Sequence, residues 1–144
     1  MIPADDFETP TPLFHVGHND RSLMPELRRQ TMLFRDMRML APEVLLYANA
    51  NAGKRNPTKA RQEGIVSGVF DVTCCYRSVM GNPMSAYIEL KGYQPSGKRW
   101  GKLSDAQIRW GNRMHAMGHL CGCFYDSVEA MLWLRDQGAP VRIK

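Results

Sequence analysis

The alternation of apolar and polar positions divides the chain into helices and strands joined by turns bearing glycine and proline. Residues 1–20 carry Pro3, Pro10 and Pro12 and show no clear period, which predicts an extended arm, open either to disorder or to wrapping a partner subunit. Ser22 then offers a helix cap, and Pro25 suits an early helical position. A helical pattern follows to about Leu40. Leu27, Thr31 and Phe34 share one face, Glu26, Gln30, Leu33 and Met37 the adjoining one, and Arg28, Arg29, Arg35 and Arg38 occupy much of the remainder. Val44 to Asn49 reads as a buried strand, and Asn51-Ala52-Gly53-Lys54-Arg55 as a polar turn. Asn56-Pro57 starts a short helix through Glu63 that Gly64 stops. Val69 to about Tyr76 forms a second strand, Gly81-Asn82-Pro83 a turn, and Ala86 to Lys91 a third strand. After a polar loop from Gly92 to Leu103, Ser104 caps a helix to about Met117, which Gly118 ends. His119 to Tyr125 forms a fourth strand, and Asp126 caps a last helix ending near Gly138.

This order predicts a single α/β domain over residues 21–144, with an αβββαβ core in which one mixed sheet is flanked by helices. A chain of 144 residues suits one such domain. No apolar run is long enough to cross a bilayer, so no membrane partner is expected. The start, Met1 to Asp6, has neither the basic opening nor the apolar stretch of a signal peptide, and a cytoplasmic protein is the expectation. Cys74, Cys75, Cys121 and Cys123 are then expected to be reduced thiols.

A net charge of +5 favours polyanionic partners only if the cations are suitably placed. They are grouped. Lys54, Arg55, Lys59 and Arg61 fall in one short segment, and Lys98, Arg99 and Lys102 in another, beside Tyr93 and Trp100. Both segments read as loops, where contacts to partners concentrate. The two aromatics suit stacking on exposed bases, or equally a loop folded over its own side chains.

The chemistry lies on the third strand. Glu89 and Lys91 are two residues apart, so both project to one face, while Ile88 and Leu90 point to the other. A carboxylate binds a hard divalent cation through oxygen. Such a cation stabilises phosphate charge and activates water, and a lysine beside it positions that water or offsets developing charge. Asp71, on the preceding strand, supplies a second carboxylate, and the Leu90 backbone carbonyl a further ligand. A lone Glu-x-Lys is more simply a surface ion pair of little worth. Here the triplet follows an apolar strand and an upstream Gly-x-x-Asp, with a basic segment on each side.

Gly68-Val69-Phe70-Asp71, then Tyr87-Ile88-Glu89-Leu90-Lys91, then Leu103-Ser104-Asp105-Ala106-Gln107 resemble the virus-type replication-repair nuclease domain (VRR-NUC) of the PD-(D/E)xK superfamily. Asn51-Ala52-Gly53-Lys54-Arg55 is similar to the Asn-Gly-Gly-Lys-Arg turn of many members, with Ala52 in place of the usual glycine. The resemblance runs from about Glu26 to Gly138. It implies that Asp71 and Glu89 bind Mg2+ or Mn2+, that Lys91 is catalytic, that Gln107 belongs to the active site, and that an acid on the first helix, best matched by Glu26, contributes. It implies an endonuclease acting on DNA, four-way junctions or related branched forms above all, as a homodimer and with no organic cofactor. The basic segments, with Asn51 in the turn and Ser104 at the helix start, are the expected DNA contacts. The family usually has proline before the metal-binding aspartate. Phe70 stands there, which implies altered local geometry and intact chemistry, because proline shapes backbone and donates nothing to a metal.

Several of these residues also suit a purely structural role. Ser104-x-x-Gln107 is a capping box, and Glu26 suits a first-turn acid facing the helix dipole. His115, His119, Cys121 and Cys123 are zinc-capable types, but the cluster lacks the usual separated ligand pairs. Trp110, Met114, Met117 and Trp133 read as core. A catalytically silent DNA-binding module of the same fold is the main alternative, with a flap or restriction-like nuclease within the enzyme class.

Overall fold

Apolar residues on alternate positions of the strands sort the core into two clusters, one on each face of a single sheet. In a computed structural model describing residues 9–49 and 57–143, the sheet holds β1 (His15–Val16), β2 (Leu45–Ala48), β3 (Val72–Arg77), β4 (Pro83–Leu90) and β7 (Leu120–Phe124). Their order is β1-β7-β4-β3-β2. The β2–β3 and β3–β4 pairs are antiparallel, while β4–β7 and β1–β7 are parallel, so the sheet is mixed. The parallel β4–β7 pair needs a crossover, which helix α3 (Asp105–Ala116) supplies. Val72, Cys74, Tyr76, Ala86, Ile88 and Leu90 face α1 (Glu26–Leu40) and α4 (Ser127–Asp136), where Leu33, Met37, Met131 and Leu134 meet them. Phe14, Phe70, Cys121 and Cys123 form the other cluster, closed by Tyr87, Trp110 and Met114. The α/β class and the three long helices agree with the sequence pattern, as do the caps Ser104 and Asp126.

Several local expectations are corrected. β2 is an edge strand with Leu45 and Tyr47 exposed; its apolar letters resemble those of a buried strand because only Leu46 turns to the core. The α1 face that turns inward carries Arg29, Leu33 and Met37, whereas Leu27 is 75% exposed. Pro25, not Ser22, occupies the N-cap position of α1, with no side-chain cap bond. Residues 9–20 of the expected arm pack on their own domain: β1 extends the sheet, Gly17 donates its N–H to Cys123 O (2.7 Å), and Phe14 is buried. Met117 is exposed. The loop after β4 contains a small hairpin, β5 (Tyr93–Gln94) and β6 (Arg99–Trp100), and Pro57–Gln62 forms the short helix α2. Among the described residues no helix is long and apolar enough to cross a membrane.

Candidate functional site

Antiparallel register brings the two strand acids together. β3 and β4 pair Val72 with Ile88, and one step further along the same register sets Asp71, at the bend entering β3, against Glu89. The Asp71 N–H donates to Glu89 Oε1 (3.1 Å), and the Leu90 N–H points to Asp71 Oδ2 (3.4 Å). Leu90, whose carbonyl is the expected further ligand, thus lies at this edge. Lys91, just past the end of β4, places Nζ 3.3 Å from Glu89 Oε2.

Glu26 reaches the same place from the far end of the chain. It opens α1, where the helix dipole favours a carboxylate. The chain leaving β4 lies directly against this helix start: Tyr93 donates its N–H to Met24 O (3.0 Å), and a Cβ added to Gly92 would sit 2.5 Å from the Glu26 nitrogen. Only glycine permits that approach. Carboxylate oxygens of Glu26, Asp71 and Glu89 then lie within 4.8 Å of one another.

Crowding and burial raise the Glu89 and Glu26 carboxyls. Glu89 is 1% exposed. Removal from water, then the adjacent Asp71, push its carboxyl up to about 8, with Lys91 pulling the other way. Glu26 is also raised, by burial first and by Asp71 second. Such mutual repulsion between oxygen donors is what a hard divalent cation relieves, and clustered carboxylates suit Mg2+ or Mn2+. The donor set therefore fits the implied metal.

Gln107 is engaged at the start of α3. Its Oε1 accepts from the Ser104 N–H (2.9 Å), while Ser104 Oγ accepts from the Gln107 N–H (3.1 Å), completing the capping box. Gly68, at φ +88°, allows the segment before Asp71 to touch this helix start, since a Cβ there would collide with the Ala106 carbonyl.

The basic residues fall into three groups. Lys98 and Arg99 belong to the β5–β6 hairpin and Lys102 directly follows it, beside the Lys91 side chain: Gly101 donates its N–H to Gly92 O (2.9 Å) and accepts from the Tyr125 hydroxyl (2.9 Å). A groove there is lined by Gln94, Arg99, Trp100, Gly101 and Lys102. Lys59 and Arg61 are exposed on α2, and Asn51, Lys54 and Arg55 lie outside the described residues. The hairpin aromatics pack on each other and, through Trp100, on the segment before α1. Tyr93 and Trp100 meet at 5.4 Å, Trp100 Nε1 donates to Ser22 O (2.8 Å), and Arg21 stacks over the indole at 5.4 Å.

The zinc-capable residues do not assemble. His115 and His119 are exposed, and burial pushes the Cys121 and Cys123 thiols up to about 12, the behaviour of small core residues. Among the described residues the carboxylate trio is the sole group of three or more His, Cys, Asp or Glu side chains spaced to hold an ion. Asn49 and Thr73, which no motif marks, adjoin the site; their only signal is the register that sets the end of β2 beside the start of β3.

In comparisons with known proteins, no protein-family model, no curated protein and no solved structure matches this chain.

Proposed function

We propose that this chain is a metal-dependent nuclease of the PD-(D/E)xK type, similar to VRR-NUC domains, that hydrolyses phosphodiester bonds in branched DNA. The observation that carries the reading is the meeting of Glu26, Asp71 and Glu89 within 4.8 Å, with the Lys91 ammonium 3.3 Å from Glu89. Two carboxylates and a lysine at the end of a β-hairpin, met by a third carboxylate from the start of α1, support this reading.

Glu26, Asp71 and Glu89 would hold Mg2+ or Mn2+, and a cation so held neutralises phosphate oxygens and makes water a better nucleophile. Lys91 is kept in place by Glu89 with its side chain only 12% exposed, so its charge acts with little solvent screening on negative charge that develops at the cluster. Lys98 and Arg99 of the hairpin, with Lys102 directly after it, supply cations for phosphates flanking the cut. Symmetric cleavage of a four-way junction needs two such sites, so a homodimer is part of the proposal.

The test is a panel of labelled four-way junction, flap and linear duplex, incubated with Mg2+ or Mn2+ and with chelator. Metal-dependent cleavage that Glu89→Ala abolishes and the surface change Asp136→Ala leaves intact is expected, strongest on the junction. Binding without cleavage under either metal would overturn the enzyme and leave the catalytically silent DNA-binding module.

A further inference from the structure

Asp71 sits at a bend, one residue outside the ladder that fixes its neighbours, yet its carboxylate must be held against two others. Its own N–H is engaged by Glu89 Oε1, a group that would turn toward a cation. A separate anchor holds the other side. Asn49, at the end of β2, donates its backbone N–H to Asp71 O (2.7 Å). Its side-chain amide donates to Phe70 O (2.8 Å) and to Thr73 Oγ1 (2.9 Å), and the Thr73 hydroxyl donates back to Asn49 Oδ1 (3.1 Å). One side chain therefore grips the residue before Asp71 and the residue two after it, while the Asn49 backbone grips Asp71 itself.

We propose that Asn49, braced by Thr73, is a positioning residue that fixes the backbone bend presenting Asp71 to the carboxylate trio. This rests on the metal-site reading above. Thr73 is 4% exposed, and burying a hydroxyl costs free energy that an apolar residue on this strand would avoid. The hydroxyl is satisfied by Asn49, and the pair rigidifies one short stretch, residues 70–73, which carries the acid. Outer-shell hydrogen bonds of this kind orient ligands and set metal affinity.

The experiment measures binding of Mn2+ alone, without DNA, to the whole chain by electron paramagnetic resonance of the free ion, alongside urea unfolding in chelator. Asn49→Ala and Asn49→Leu keep the backbone bond and lose the amide; each is expected to weaken Mn2+ binding about tenfold or more. Thr73→Ser keeps the hydroxyl and is expected to bind as wild type, whereas Thr73→Val falls between. A role confined to the fold lowers stability in chelator and leaves affinity unchanged, so folded Asn49 variants with wild-type Mn2+ affinity would overturn the inference. Should the Asn49 variants not fold, equal Mn2+ affinity of Thr73→Val and Thr73→Ser would overturn it in the same way. If Mn2+ binding to the wild type does not depend on Glu89, tested with Glu89→Ala, the metal-site reading falls and takes this inference with it.

Discussion

The buried Glu89 carboxyl makes stability depend on pH in a direction opposite to that of most glutamates. An ordinary glutamate, near 4.5, releases its proton in the unfolded chain while Glu89 in the folded chain holds its proton up to about 8. Between those values the native state binds more protons than the unfolded one, so stability falls as pH rises, and it levels off above the folded value. At about 1.4 kcal/mol per pH unit the whole window amounts to a ceiling on the order of 4 to 5 kcal/mol. Glu89→Gln mimics the protonated acid and removes this dependence. Urea unfolding in chelator, from about pH 5 to about pH 9, is expected to show the variant gaining steadily on the wild type as pH rises. Contributions common to both proteins, that of the raised Glu26 carboxyl among them, drop out of that difference. Mn2+ added at the alkaline end is expected to restore the wild type by roughly 3 kcal/mol at a hundredfold excess over its dissociation constant, and to restore the glutamine variant less. Wild-type and variant stabilities that run parallel across the window would refute the reasoning, because burial and the Asp71 charge would then have no hold on Glu89.

Three further outcomes follow from single features. Ser104→Ala breaks the capping box and is expected to cost about 1 kcal/mol in urea unfolding while leaving Mn2+ affinity unchanged. Arg29 is 3% exposed, its Nε and Nη2 lack hydrogen-bond partners among the described residues, and the Asp20 carboxylate is 4.0 Å away; Arg29→Met is therefore expected to be neutral or stabilising by thermal unfolding. Replacing Lys98, Arg99 and Lys102 together by alanine is expected to lower the logarithmic salt slope of junction binding by about 2 to 3, measured in a Glu89→Ala background that cannot cut.

Elements with local signals were legible in the sequence. α3 shows a cap at Ser104 and a stop at Gly118, α4 a cap at Asp126 and a stop at Gly138, and each agrees with the structure to within a residue or two. What failed depends on neighbours distant in the chain. Leu45-Leu46-Tyr47 is as apolar as a central strand, but nothing local says that the sheet ends there. β1 is too short, at two residues, to carry a period, and it exists because β7 offers a free parallel edge. The site divides along the same line. Asp71 and Glu89 lie at the ends of consecutive strands joined by a short turn, which makes them neighbours, but the register comes from a loop centred on Met80 and not on the Gly81-Asn82-Pro83 signal. The arrival of Glu26 depends instead on Gly92 lying against the α1 start, and the grip of Asn49 on the bend depends on which strand borders β3.

A surface ion pair, the simplest role for Glu-x-Lys, makes a definite physical demand that Glu89 and Lys91 do not meet. A surface pair leaves both groups in water and requires no third charge. Here the pair exists, at 3.3 Å, but Glu89 is removed from water, and two more carboxylates converge on it where one lysine supplies the only positive charge among the four residues. As an interaction serving the fold alone this is unfavourable, since an apolar side chain at position 89 would pack with Cys123 and avoid both desolvation and repulsion. The excess negative charge is the feature that a bound divalent cation would offset, as the proposed metal site requires.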